Sequence, residues 1–111
     1  MTNIYDIVAF SGSTSGTGAT AITTLSSSVY RSGKVVLSIT NGSVYRIMEM
    51  LFMHDGTTVT FNENYTVANE MQSATTNTTF SGSISAGTLT IFATCSSGTS
   101  AIKGQATLFK V

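Results

Sequence analysis

The side chains best suited to chemistry in this chain are one histidine, one cysteine and five carboxylates. His54 stands directly before Asp55 and Gly56, and Cys95 ends an apolar run. The five carboxylates are Asp6, Glu49, Asp55, Glu63 and Glu70. A histidine beside an aspartate could serve as a general base or contribute to a metal site. A metal site usually needs three or four ligands, however, and nucleophilic catalysis needs a Ser or Cys held by the histidine.

These requirements are not met by the spacing of the residues. We therefore predict no catalytic site, no metal, no cofactor and no enzymatic activity. His54 is interpreted as a polar residue that stabilises a turn, and Cys95 as a small buried hydrophobe. Glu49 is expected to pair with Lys34 across a hairpin, which leaves no carboxylate pair for acid–base work. Arg46 is expected either to reach the sheet edge or to pair with Glu63.

The stretch from Tyr30 to Phe61 is expected to organise the fold, because Asn41-Gly42 and Asp55-Gly56 are strong hairpin signals between β-prone runs. Two-residue loops would place Thr40 opposite Ser43, Leu37 opposite Arg46 and His54 opposite Thr57. One face of this meander then collects a core: Val35, Leu37, Ile39, Val44, Met48, Met50, Phe52, Val59 and Phe61. The opposite face carries Tyr45, Ile47, Leu51 and Met53. That face is too apolar to be fully exposed to solvent, so we expect the middle strand to be buried on both sides. Its cover would come from the same chain or from a neighbouring subunit.

The rest of the chain also favours short strands. Ile4–Phe10, Ala21–Ser28 and Ala101–Val111 are predicted strands, with Gly104 as a bulge. Ser11–Thr20 is predicted to be a flexible loop or the linker of an N-terminal arm, because it contains almost only Gly, Ser and Thr.

Two further predictions concern the C-terminal half. Ala86-Gly87 is predicted to be a two-residue hairpin loop that pairs Ile84 with Leu89. Residues 67–71 are expected to form one helical turn at most. The predicted fold is an all-β antiparallel sandwich or jelly roll of about eight strands with an N-terminal arm, divided into residues 1–29 and a core module of residues 30–111.

Charge narrows the classes of function. The 111 residues include five Lys or Arg and five Asp or Glu, so the formal net charge is zero and only 9% of residues are charged. Nucleic-acid binding and membrane-surface binding are therefore not expected, because both need clustered basic residues. No basic and apolar leader and no bilayer-spanning apolar stretch are recognised. A chain of such low charge suits a protein that works inside an assembly.

Three short motifs carry a resemblance to a known group of proteins. They are Tyr30-Arg31-Ser32-Gly33-Lys34, Asn41-Gly42-Ser43 and His54-Asp55-Gly56-Thr57-Thr58. With the final Gly-rich hairpin, they resemble virion structural proteins of tailed phages, especially marine phages that infect cyanobacteria. The resemblance covers Tyr30–Val111 and not the first 29 residues.

The resemblance implies a structural role on the virion. The leading expectation is a decoration (cement) protein on the outer capsid surface, which binds the major coat protein and copies of itself, most simply as a homotrimer. The implied interface residues are Tyr45, Ile47, Leu51 and Met53, with Tyr5 and Phe10 from the arm at residues 1–20. The alternative is a tail-fibre or receptor-binding module that binds host glycans, with Tyr5, Tyr30, Tyr45 and Tyr65 exposed on one patch.

Overall fold

The fold consists of two antiparallel β-sheets. The computed structural model describes residues 4–14, 16–62, 69–71, 78–95 and 98–111, and these contain nine strands and no helix. The strands are β1 (Tyr5–Ser13), β2 (Thr20–Ser26), β3 (Tyr30–Asn41), β4 (Val44–His54), β5 (Val59–Asn62), β6 (Asn69–Met71), β7 (Thr78–Ser85), β8 (Thr88–Cys95) and β9 (Ala101–Lys110). The large sheet has the order β1-β9-β3-β4-β5, with β6 also paired to β4, and the small sheet has the order β2-β8-β7. This confirms the predicted all-β sandwich.

The core lies between the inner faces of the two sheets. Its buried members are Ile22, Val35, Leu37, Ile39, Met48, Met50, Phe52, Phe80, Leu89, Ile91, Ala93, Ile102, Ala106 and Leu108. Val59 and Phe61 are half-buried against this cluster. The core face predicted for the meander is therefore confirmed for every member whose side chain the structure describes.

The register of the β3–β4 hairpin differs from the prediction by two residues. Asn41 pairs with Val44, and Leu37 pairs with Met48 rather than Arg46. The loop is Gly42-Ser43, with Gly42 at a φ of 61°. Glycine at the first central position is typical of a type II′ turn, whereas the prediction assumed a type I′ turn centred on Asn41-Gly42. Since the shift is an even number of residues, every side chain stays on its predicted face.

Asn41 explains the choice of turn. Its Nδ2 lies 3.3 Å from Cys95 Sγ and 3.2 Å from Ser100 Oγ, so its side chain is held by the far end of β8 and the start of β9. Because the side chain of Asn41 makes these two contacts, Asn41 remains the last residue of β3 and does not enter the loop. The loop therefore moves one residue toward the C-terminus.

The β7–β8 hairpin matches its prediction. Ile84 pairs with Leu89 and Ser85 with Thr88, around Ala86-Gly87. Both loop residues have positive φ, 51° for Ala86 and 79° for Gly87, as a type I′ turn requires. Ala86 has the only positive φ among the described non-glycine residues.

We expect Ala86→Asn to stabilise the protein by about 0.5–1 kcal/mol. Asparagine tolerates the left-handed conformation better than alanine, whose Cβ is strained there. The free energy of unfolding in urea measures the gain. The control is Ala19→Asn, at an exposed loop position without positive φ, which should change stability by less than about 0.5 kcal/mol. Equal effects of the two substitutions would contradict the prediction.

The N-terminal region differs from the prediction. Residues 11–13, predicted to begin a flexible loop, extend β1, which pairs with β9 from Tyr5–Phe109 to Ser13–Ala101. β2 pairs with β8 in the other sheet. The described part of the predicted arm thus contributes an edge strand to the large sheet, because its Gly and Ser residues have backbone partners there.

Gly104 is not a bulge. It pairs with Phe10 on one side and Leu37 on the other without a break in register. A Cβ at position 104 would collide with the ring of Phe10, so glycine is needed there to seat that ring. The bulges occur instead between Ala21 and Thr23 and between Tyr30 and Ser32. The helical turn predicted at 67–71 lies partly outside the described residues, and its described part, Asn69–Met71, is strand β6.

Candidate interaction surface

The His54–Asp55 turn is structural. His54 is buried at the end of β4; its Nδ1 accepts the N–H of Gly56 at 3.0 Å, and its Nε2 lies 2.5 Å from the carbonyl oxygen of Tyr30. Since Nδ1 accepts a hydrogen bond, Nε2 carries the proton and donates it to that carbonyl. Both ring nitrogens are thus engaged by the protein's own backbone. This confirms that His54 stabilises the turn.

Asp55 fixes the length of the same loop. Its Oδ1 accepts the N–H groups of Thr57 at 3.0 Å and Thr58 at 2.8 Å. These bonds place Asp55 to Thr58 in a four-residue loop, and His54 therefore pairs with Val59 rather than with Thr57. The backbone N–H groups of Thr58 and Thr57 also hold the pKa of the Asp55 carboxyl below its ordinary value of 3.8.

A pH dependence follows for the Asp55 loop. A carboxyl whose folded-state pKa is lowered contributes stability above its ordinary pKa and loses it as the pH falls through the folded-state value. We expect Asp55→Asn to be less stable than the natural chain at pH 7, and the difference to vanish as the pH falls below 3.8. Urea unfolding across this range measures it. A difference that stays constant down to the lowest pH would contradict the assignment.

A second polar contact ties the ends of three strands together. The hydroxyl of Tyr30 donates to Asp6 Oδ2 at 2.5 Å, and Lys110 Nζ lies 3.8 Å from the same oxygen. The hydrogen bond to Asp6 raises the pKa of Tyr30 above 10.0, with burial and the charge of Asp6 acting in the same direction. Tyr30 is therefore a cross-strand anchor rather than part of an exposed aromatic patch.

Cys95 lies in a buried cluster of hydroxyl groups. It is fully buried, as predicted, and Ser100 Oγ lies 3.3 Å from its Sγ. Thr78 Oγ1 lies 2.8 Å from Ser100 Oγ, and Thr14 Oγ1 accepts the backbone N–H of Ser100 at 2.9 Å. The cluster joins segments far apart in sequence and satisfies polar groups that burial would otherwise penalise. Sequence reasoning missed it, because nothing distinguishes these hydroxyls from the many exposed Ser and Thr.

The charged residues form structural contacts. Lys34 Nζ lies 3.2 Å from Glu49 Oε2, which confirms the predicted ion pair. The two residues are diagonal neighbours in the observed register, since Lys34 stands opposite Leu51. Arg46 is buried, and its Nη1 donates to the carbonyl oxygen of Thr78 at 3.4 Å. Its alternative predicted partner, Glu63, lies outside the described residues. The described residues contain no group of three or more metal-ligating side chains, and no helix among them is long and apolar enough to cross a membrane.

The outer face of the large sheet carries most of the large hydrophobic side chains that are exposed among the described residues. Strand pairing arranges its side chains in rows that cross the strands. One row is Tyr5, Phe109, Ser32, Met53 and Thr60, and the next contains Ile7, Thr107, Lys34 and Leu51. Tyr5 and Phe109 form an aromatic pair with ring centroids 6.2 Å apart. The small side chain of Ser32 leaves a shallow depression of about 220 Å³ between Phe109 and Met53.

The predicted interface residues divide into two groups. Tyr5, Tyr45, Ile47, Leu51 and Met53 are exposed on this outer face. Phe10 points inward, where it packs over Gly104 and against the core. The prediction that β4 is buried on both sides is wrong for the single chain, because no described segment covers its outer face. Tyr45 lies at the far end of β4 from Met53 and Tyr30 is partly buried, so the described tyrosines do not form one patch. Tyr65 lies outside the described residues.

Comparison with known proteins gives the fold class. No protein-family model and no curated protein sequence matches the chain. The crystal structure of the Acinetobacter baumannii phage AM24 tailspike protein is similar to it, with a TM-score of 0.50 and 7% identity over 96% of this chain and 26% of that chain. A tailspike protein of the A. baumannii bacteriophage Fri1 has a TM-score of 0.46 and 16% identity, over 96% of this chain and 17% of that chain.

The chain therefore spans about a quarter or less of each of these structures, and its fold is one that occurs in a phage tailspike protein. Both proteins come from phages of Acinetobacter baumannii, and the expected marine origin has no support. The prediction of no enzymatic activity is corrected here. The Fri1 protein is described as a capsular polysaccharide depolymerase, which is an enzyme, and we therefore withdraw the exclusion of enzymatic activity.

Proposed function

We propose that this chain is a β-sandwich module of a bacteriophage tail protein that contacts the host surface. The observation that carries the proposal is the fold likeness to the AM24 tailspike, which extends over 96% of the chain with a TM-score of 0.50. The low charge and the exposed apolar face also support a role inside a larger assembly. No observation favours capsid decoration, which was the leading expectation from sequence.

The proposed location is tested by counting and locating the chain on the virion. Quantitative mass spectrometry gives its copy number relative to the major coat protein, and immunogold labelling gives its position. A tail module should be present in far fewer copies than the coat protein, with label at the tail. Copies in fixed, near-stoichiometric ratio to the coat protein, with label over the head, would overturn the proposal in favour of decoration.

The proposed contact with the host is tested with purified protein. We expect the fluorescently labelled chain to bind host cells and not empty phage heads. Host cells stripped of surface polysaccharide serve as the control, and lost binding would identify a glycan as the ligand. Release of reducing ends from the purified polysaccharide would further identify a depolymerising activity. Binding to empty heads without binding to cells would contradict the proposed function. Binding to the major coat protein and assembly as a homotrimer remain predictions from the sequence.

A further inference from the structure

The outer face of the large sheet carries a strip of exposed apolar side chains that crosses four strands. The exposed fractions are 62% for Met53, 59% for Ile7, 49% for Leu51, 47% for Tyr5 and 45% for Phe109. They occupy two adjacent rows in two groups, Tyr5, Ile7 and Phe109 on β1 and β9 and Leu51 and Met53 on β4, with Ser32 and Lys34 of β3 between the groups. Ile47 and Tyr45, each 45% exposed, extend the apolar surface toward the other end of β4. Large apolar side chains clustered on one exposed face of a sheet indicate an interaction site.

The outer face of the small sheet is chemically different. Its exposed side chains on β7 and at the hairpin are hydroxyls: Thr79, Ser81, Ser83, Ser85 and Thr88. Phe92, on the same face, is half-buried. Hydroxyl groups can remain hydrated without loss, whereas the apolar strip on the large sheet gains free energy when it leaves water. Burial against a partner is therefore favourable for the outer face of the large sheet and not for that of the small sheet.

Charge on the apolar face suits a second copy of this chain. The face holds a positive and a negative side chain side by side, Lys34 and Glu49, with Lys103 as the other charge among its described side chains. The excess on this face is a single positive charge, which offers little to a partner rich in either charge. An identical face offers Glu49 to Lys34 and Lys34 to Glu49 across a twofold axis, as in a self-complementary interface. The net charge of zero adds no long-range repulsion between copies.

The size of the face also fits. Five strands at a spacing of about 4.8 Å, with about eight residues each at about 3.4 Å, give an area of roughly 650 Å². A standard stable interface buries roughly 800 Å² on each partner. The depression beside Ser32 adds a concave element that can accept an apolar side chain from the facing copy. Two copies packed through the whole face would therefore bury roughly 1,300 Å² in total, near the lower end of the range for stable interfaces.

We propose that the chain self-associates through the outer face of its large sheet, with Met53, Leu51, Ile7, Tyr5 and Phe109 buried in the interface. The facing copy covers the exposed side of β4. The predicted second layer over β4 is then supplied by a neighbouring subunit. The proposal concerns the chain itself and holds whether the virion carries it on the tail or on the head.

The test is the mass of the purified chain in solution. Sedimentation equilibrium over a range of concentrations should give a multiple of the 11.6 kDa chain mass. The double variant Leu51→Lys/Met53→Lys should raise the dissociation constant at least about tenfold, because two new charges would lie in an apolar interface. The control Ser83→Lys/Ser85→Lys adds the same charges to the outer face of the small sheet and should associate like the natural chain.

Circular dichroism and thermal unfolding show that all three proteins are folded before their masses are compared. A natural chain that is monomeric at every concentration would overturn the proposal, and so would equal weakening by the two lysine pairs. Failure here leaves the tail assignment standing, because copy number and label position do not depend on self-association of the isolated chain.

Discussion

Leu37→Ala is expected to destabilise the protein by about 2–5 kcal/mol, the largest effect that we predict for a single substitution. Leu37 is fully buried in β3, between β4 and β9 in the large sheet, and its side chain faces the small sheet. Truncation removes apolar contacts and leaves a cavity that the neighbouring strands cannot fill without breaking their register. The free energy of unfolding in urea measures the loss.

Leu51→Ala is the matched control, since it makes the same chemical change in the adjacent strand. Leu51 is 49% exposed on the opposite face of the large sheet. At a protein concentration low enough to keep the chain monomeric, this substitution should cost less than about 1 kcal/mol. A similar cost at both positions would contradict the assignment of the inner face as the core and the outer face as open in the single chain.

Gly33→Ala is expected to cost about 1–3 kcal/mol, although alanine is normally preferred to glycine in a strand. A Cβ at position 33 would lie 2.6 Å from Cε1 of Phe52 and 2.9 Å from the carbonyl oxygen of Thr107. The backbone carbonyl belongs to β9, the neighbouring strand, and cannot move without disturbing the sheet. Thermal unfolding of the variant should show a lowered midpoint with an unchanged β-sheet spectrum.

The control for this prediction is Gly18→Ala, in the described part of the loop before β2. No atom lies within 4 Å of a Cβ there, and Gly18 has no positive φ. The substitution should be neutral or stabilising by up to about 1 kcal/mol, because alanine restricts the unfolded chain. Gly33→Ala should cost less stability in a chain that carries Phe52→Leu than in the natural chain, because the smaller side chain makes room for the new Cβ. No recovery in that double-mutant cycle would place the strain at the backbone of β9.

Local patterns were sufficient for the fold class and for the faces of the meander. Alternation along β3 and β4 separates buried Val35, Leu37 and Met50 from exposed Leu51 and Met53, whatever the exact pairing. The registers of the β3–β4 and β4–β5 hairpins were each predicted two residues away from their observed positions. No side chain changed face, because the period of a strand is two. The β7–β8 hairpin was predicted correctly: the loop's hydrogen bond from the N–H of Ser27 to the carbonyl oxygen of Gly87, at 3.0 Å, leaves the Ala86-Gly87 turn in place.

Long-range contacts decided the details that were mispredicted. Asn41 is a strong turn residue by local propensity, but its side chain is held by Cys95 and Ser100 and therefore stays in the strand. Asp55 lengthens its loop by accepting two backbone N–H groups. The Gly/Ser segment at residues 11–13 looks flexible in isolation, and only β9 provides the backbone partners that order it.

The candidate surface shows the same division between sequence and tertiary structure. Sequence by itself determined that the chain is all-β, that its charge is low and balanced, and that Leu51 and Met53 share a face unsuited to water. These properties depend only on composition and on a period of two residues. Only the tertiary structure placed Tyr5 and Phe109 beside them, turned Phe10 inward and left the face uncovered. The order of strands in a sheet brings distant segments together, and no local pattern specifies that order.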